Sequence, residues 1–338
     1  MDGTLPPARP STFLMRSVSR EHGFEPLRVE GTIPERLRGT LYRVGPGLVD
    51  SVGVPVTHLF EADGALTAIR IGDQGADGAI RVLESRGLRD EREAGRPLYG
   101  YRAPYLTRIA STFRGRTKNV ANTAPMIWQD KLYSMVEAFR PTLLDKDSLS
   151  IVEETTLGGV VRGAFSAHPH RVASRKAQYN FGIRYGRTTK LDFYELPDVG
   201  DARRLTTLTL ERAVMMHDFI ATDRRLICFV SPMEVNIPRA VLQLAPFGKM
   251  FEYHADHGTE IIVVSIDDPT NVRRFRVPAF FQWHFANAFE SGDGFEVECG
   301  SCHDPHGVPS GGNGSAFLPT FLRVTNAGSA VCLTCHNK

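Results

Sequence analysis

Residues 124–139 read APMIWQDKLYSMVEAF, two apolar runs parted by the polar pair Gln129-Asp130. Apolar runs of this length with a tight reversal between them describe an antiparallel hairpin. The pattern recurs outward along the chain, in GTLYRVG at 39–45, HLFEADGALTAIRIG at 58–72 and AVMMHDFIATDRRLICFV at 213–230. Further turn signals stand at Asp63-Gly64, Asp223-Arg224 and Gly292-Asp293-Gly294. Hairpins in series predict an all-β fold, and periodicity alone leaves barrel, sandwich and propeller open. One stretch departs from the pattern: Asn236 to Tyr253, NIPRAVLQLAPFGKMFEY, spaces its apolar residues as a helix would and predicts a helix interrupted near Pro246.

With 338 residues the chain can bury a substantial core, as one large β domain or two ordinary ones. A hydrophobic share of 42%, a charged share of 23% and a formal charge of +2 describe a globular protein and argue against a nucleic-acid partner. The N-terminus carries no apolar run of signal-peptide length, and nothing later approaches the roughly 20 apolar residues of a membrane span, so a cytoplasmic protein is expected. Cys228, alone in LICFV, reads as core. From Glu298 onward the composition turns to Gly, Ser, Asn, Cys and His, with GVPSGGNGS as a flexible segment, and a domain boundary is expected near Val297.

Three of the eleven histidines fall in strand-like segments: His168 in AFSAHPHR, His217 in MMHDFIAT and His284 in FFQWHFANAFE. Imidazole is an ordinary ligand for iron, copper and zinc, so histidines from separate strands can converge on one metal. Their wide spacing fits no local metal motif, and unrelated core or surface histidines is the competing reading.

Several segments resemble, in one order, those of the carotenoid cleavage oxygenases: GTIPERLRGTLYRVGPG at 31–47, HLFEADGAL at 58–66, AGRPL at 94–98, AHP at 167–169, MMHDF at 215–219 and HFANAFE at 284–290. The resemblance spans roughly residues 25–297, with 1–24 as an N-terminal extension and 298–338 as a separate tail. It implies a seven-bladed β-propeller, of which this chain would hold roughly the first four to five blades. It implies one iron(II) held by His168, His217 and His284. Glu137, in SMVEAFRPTLLD, would accept an outer ring N–H from such a ligand. His170 would be a neighbour of the site and His58 structural.

The implied reaction adds both atoms of dioxygen across a conjugated double bond of a carotenoid, apocarotenoid or stilbene-like substrate and releases two carbonyl products. Similar proteins with the same ligand set include isomerases that add no oxygen. The stretch 236–253, with Val241, Leu242, Leu244, Phe247, Met250 and Phe251, resembles the family's membrane-facing patch; a helix covering one end of the propeller is the alternative. The resemblance also implies a fourth iron histidine, for which this sequence offers no matching segment, and hence an incomplete enzyme.

The tail has its own chemistry. Cys299, Cys302 and His303 form one C-x-x-C-H motif, and Cys332, Cys335 and His336 form another. Each reads as a c-type haem attachment, two thioethers with the histidine as axial ligand, and the segment resembles the doubled motif of multihaem cytochromes. His306, in the DPHG that follows the first motif, is a candidate distal ligand. A four-cysteine zinc ribbon is the competing reading, and the histidine after each pair favours haem. Haem attachment of this kind belongs outside the cytoplasm, at odds with the rest of the chain. The expectation is therefore two unrelated coding segments joined near Val297, with two alternatives to the oxygenase: a haem electron carrier, or a chimeric fragment without function.

Overall fold

The structure, a computed structural model, describes residues 16–245 and 249–299. These form two compact units, one of 16–169, 177–213, 235–245 and 249–252, the other of 170–176, 214–234 and 253–299.

In the first unit, β1 (His22–Pro26), β2 (Gly39–Leu48), β3 (Asp63–Gly72) and β4 (Gly75–Val82) make an antiparallel sheet ordered β1-β4-β3-β2. Two helices follow, α1 (Arg86–Ala94) and α2 (Tyr105–Phe113), and then a second antiparallel sheet of β5 (Ala124–Trp128), β6 (Lys131–Met135), β7 (Thr142–Leu144) and β8 (Ile151–Glu154), paired in sequence order. The hairpin read at 124–139 is present: Trp128 pairs with Lys131 across Gln129 and Asp130, whose φ values of 48° and 60° match the twist of the strands they join. Apart from β9 (His170–Val172), which belongs to the second unit, the next strands are β10 (Ala177–Arg184), β11 (Thr189–Pro197) and β12 (Arg203–Leu210). β11 pairs antiparallel with both β10 and β12.

Side chains between successive sheets hold this unit together. Leu66, Ala68 and Ala79 of the first sheet pack with Leu132 and Leu144 of the second. Met126, Trp128, Tyr133 and Met135 of the second pack with Tyr194 and Leu196 of β11, and the Trp128 indole N–H donates to the Pro197 carbonyl at 2.7 Å. Complete burial of each large apolar side chain contributes about 1.5–3 kcal/mol. A polar knot ties α1 to β3: the buried Lys118 ammonium donates to Asp63 and Glu91 at 2.7 Å each, and Arg102 donates to Glu91 at 2.9 Å and to Ser51 Oγ at 2.6 Å. Every charge in the knot has an opposite partner, as burial demands.

The second unit builds an antiparallel sheet from β13 (Ile220–Ala221), β14 (Arg225–Val230), β17 (Thr259–Ser265) and β18 (Val272–Val277), in that order. A hairpin of β19 (Phe285–Ser291) and β20 (Gly294–Cys299) follows. Ile220, Ile227, Val263, Phe285 and Ala288 form its core, and Cys228 is a buried thiol in β14. β18 ends its sheet and carries Arg273, Arg274 and Arg276, charges that discourage pairing with another chain.

Three local expectations are corrected. The helix expected from Asn236 to Tyr253 is only a single turn, α3 (Ile237–Val241), capped by the Asn236 side chain and ended by Gln243 at φ 53°. It lies between β15 (Met233–Val235) and β16 (Phe251–Tyr253), so Phe251 is strand, while Pro246 and Phe247 lie outside the described residues. Asp63-Gly64 opens β3 instead of turning the chain, and Asp63 is drawn into the Lys118 knot. Lastly, α1 and α2 went unread in a sequence dominated by hairpins, although Ser85 caps Leu88 N–H and Gly95 closes α1 in the left-handed conformation.

Candidate metal centre

His168, His217 and His284 stand outside the strands, each shortly before one starts: His168 before β9, His217 before β13 and His284 directly before β19. Loop backbone at strand starts can aim a side chain that the alternation within a strand would point elsewhere.

In the first unit the loop that carries His168 is fixed by its neighbours. Phe165 N–H donates to the Phe139 carbonyl at 2.9 Å, and Ser166 N–H donates to Phe181 at 2.8 Å. Asn180 Nδ2 donates to the Ser166 carbonyl at 2.7 Å, while Ser166 Oγ accepts the His168 N–H at 3.1 Å. Gly182 of β10 lets this loop approach, since a Cβ there would lie 1.9 Å from the Ala164 carbonyl oxygen. The bond between Phe165 and Phe139 also ties the loop to the β6–β7 connection, where Glu137 is half-buried.

In the second unit His217 and His284 are brought together, with ring centroids 4.7 Å apart and an interplanar angle of 69°. Trp283 meets the His217 ring edge-on at 5.0 Å. His217 is 5% exposed; burial, reinforced by the His284 ring and opposed by Asp218, pushes its imidazole down to about 3. It is therefore a neutral nitrogen donor at physiological pH.

Asp218, next in sequence, organises the group. Its Oδ2 accepts from His284 Nδ1 and from Phe285 N–H, each at 3.3 Å. Its Oδ1 accepts from Phe219 N–H at 2.8 Å and from His170 Nε2 at 3.1 Å. With the proton of His284 held on Nδ1, the Nε2 lone pair is left for a metal. His170 is thus tied to the aspartate that orients His284. His58 caps a short helical turn, its Nδ1 accepting Phe60 N–H at 3.2 Å. Sequence reasoning passed over Asp218 although it stands inside MMHDF; a carboxylate beside a candidate ligand was the available signal. Cys302, His303, His306, Cys332, Cys335 and His336 lie outside the described residues, and the backbone of Cys299 ends β20.

The donor chemistry fits a borderline metal such as iron: imidazole nitrogens, one kept neutral by burial and one with its tautomer set by a carboxylate. The depressed His217 value also links to stability. Between its ordinary 6.5 and about 3, the unfolded chain carries a proton on this ring that the folded chain lacks. Stability of the metal-free protein therefore rises with pH across that window, by at most about 1.4 kcal/mol per unit from this group. Urea unfolding at a series of pH values shows this slope, and His217→Gln flattens it; an unchanged slope in the variant contradicts a buried neutral His217.

Comparison with known proteins agrees with this geometry. The family model described as retinal pigment epithelial membrane protein matches residues 15–312, and the doubled CXXCH motif model matches residues 292–338. Apocarotenoid-15,15'-oxygenase of Synechocystis sp. is 31% identical over 78% of this chain and 56% of its own length. Lignostilbene-alpha,beta-dioxygenase isozyme III of Sphingomonas paucimobilis is 30% identical over 83% of this chain and 58% of its own. The chain thus spans less than three fifths of these relatives. The crystal structure of the cobalt-substituted Synechocystis apocarotenoid oxygenase superposes with a TM-score of 0.75 at 28% identity, covering 85% of this chain and 62% of that one. The sheets described above are accordingly part of a carotenoid oxygenase propeller, as the sequence segments implied. With the family model matched over most of its length, the chain belongs to the carotenoid cleavage oxygenase family.

Proposed function

We propose that the chain holds one ferrous ion on His168, His217 and His284 and uses dioxygen to cleave a conjugated carbon–carbon double bond in an apocarotenoid, carotenoid or stilbene-like substrate. The observation that carries this reading is the pairing of buried His217 with half-buried His284, one neutral through burial and the other oriented by Asp218. The resemblance to the family adds His168 as the third ligand, each histidine offering one ring nitrogen. Relatives named apocarotenoid-15,15'-oxygenase and lignostilbene-alpha,beta-dioxygenase support this substrate class, and a cobalt-substituted relative supports metal dependence.

Ferrous iron, when bound, supplies the electronic coupling by which triplet dioxygen becomes reactive toward an alkene. The protein's own part is to hold that chemistry in a dry place. Asp218 keeps a proton on His284 Nδ1, Trp283 shields one edge of His217, and the Ser166–Asn180 bonds hold the His168 loop still. Glu137 takes the outer N–H of a ligand histidine.

An apolar substrate calls for contact with a membrane or a micelle. Leu106 and Phe113 of α2 are 78% and 73% exposed, and Val241 at the end of α3 and Leu242 and Leu244 beyond it are also exposed. Gln243 donates to Thr112 at 3.2 Å, which brings the two groups near each other and supports reading them with the membrane-facing stretch expected at 236–253.

A second reading concerns the tail alone, where the match at 292–338 supports two covalent c-type haems on Cys299, Cys302, Cys332 and Cys335, with His303 and His336 as axial ligands and His306 as a distal one. Expression with a haem-attachment apparatus gives covalent haem and a sharp reduced absorption band if this holds; zinc in its place assigns a ribbon.

The full chain, loaded with iron and given vesicle-borne apocarotenal or a stilbene under 18O2, yields two labelled carbonyl products. Asp218→Asn lowers turnover about 10–100-fold through weaker metal binding. Leu106→Glu with Phe113→Glu raises KM for the vesicle-borne substrate and leaves kcat unchanged. An unlabelled isomer as sole product replaces cleavage by isomerisation, and equal turnover in Asp218→Asn shows that Asp218 does not support the metal through His284.

A further inference from the structure

The second unit gathers another set of metal-ligating side chains, none of which belongs to the centre above. His254, Asp256 and His257 stand on the turn between β16 and β17, and one ligand atom from each lies within 4.8 Å of the others. The turn is firmly built. His254 N–H donates to the Pro232 carbonyl at 2.9 Å and His257 N–H to the His254 carbonyl at 3.0 Å. Gly258 closes it at φ 66°, where a Cβ would come 2.8 Å from the Val277 carbonyl oxygen. The three side chains therefore leave a rigid backbone at positions i, i+2 and i+3.

Their arrangement matches what a cation requires. The rings of His254 and His257 stack with centroids 5.0 Å apart and planes 20° apart, and one ring nitrogen of each lies within 4.8 Å of the other and of an Asp256 oxygen. Glu234, from β15, accepts the Nδ1–H of His257 at 2.6 Å, which leaves Nε2 as the lone-pair nitrogen. Asp256 Oδ2 stands 3.6 Å from that Nε2, too far for a hydrogen bond and close to the separation of two ligands that share one ion at bond lengths of about 2.0–2.2 Å. The Asp256 side chain is largely exposed and can turn to close the remaining gap. A carboxylate behind a histidine, another carboxylate beside it and a second imidazole next to it form an anionic mixed nitrogen and oxygen donor set.

We propose that this turn is a second metal site, taking a borderline divalent ion of the zinc or copper(II) class. His254, Asp256 and His257 Nε2 are the ligands, water completes the sphere, and Glu234 orients His257. Imidazole donors favour such ions over calcium or magnesium, which take oxygen.

Titration of the full chain with zinc tests this directly. The tail thiols are first alkylated with iodoacetamide, and the His168, His217 and His284 site is the same in the parent and every variant, so that its zinc cancels in the difference. The parent protein binds one zinc equivalent more than either His254→Gln or His257→Gln. Glu234→Gln keeps the stoichiometry and weakens that equivalent about 10–100-fold. Asp256→Asn, a change at an exposed side chain that leaves the fold intact, also weakens it, and thermal melts of all variants report on folding. Equal zinc equivalents in the parent and in folded His254→Gln and His257→Gln overturn the proposal, as does a His257 ring that stays protonated between Glu234 and Asp256 in the presence of zinc.

Discussion

One buried carboxylate carries the histidine centre of the second unit. Asp218 is 5% exposed, and an ionised carboxylate at that depth is costly unless its oxygens are satisfied. Two backbone N–H groups, of Phe219 and Phe285, and two imidazoles, of His170 and His284, satisfy them. The same four contacts bind three stretches of chain together: the start of β9, the segment before β13 and the segment before β19. A group that stabilises the fold therefore also sets the tautomer of a ligand, so the two roles cannot be separated by a change at this residue alone.

His217 beside it answers the opposite physical demand. The oxygens of the aspartate are met by donors, whereas the histidine is kept neutral by the removal of water, and the His284 ring adds to that effect. A hydrogen-bonded carboxyl group and a neutral imidazole, adjacent in sequence, suit a cationic metal. The energetic cost falls on the metal-free protein, which must bury an imidazole that would take a proton in water.

Much of this was legible in the sequence, and the rest was not for identifiable reasons. Hairpins such as 124–139 were readable because a polar pair between apolar runs is a local signal. The family was readable because its segments occur in one order, and the propeller follows from it. Tertiary contacts decided the other cases. Asp63-Gly64 has the composition of a turn but opens a strand, since Asp63 finds Lys118, far along the chain. The apolar spacing of 236–253 suggested a helix, but Gln243 ends it after one turn and Phe251 pairs into a strand. Asp218 was quoted within MMHDF and passed over because nothing local shows that His170 and His284 will meet it. The spacing of His254, Asp256 and His257 was equally visible, but Glu234, which gives it a chemical direction, comes from another strand.

Whether histidine nitrogens hold the proposed iron can be read by iron K-edge absorption on the full chain, reconstituted anaerobically with one equivalent of ferrous ion. The expected spectrum has the multiple-scattering pattern of imidazole rings around a stoichiometric iron, diminished in His217→Gln. An iron surrounded by oxygen scatterers alone, or an imidazole pattern untouched by His217→Gln, would contradict it.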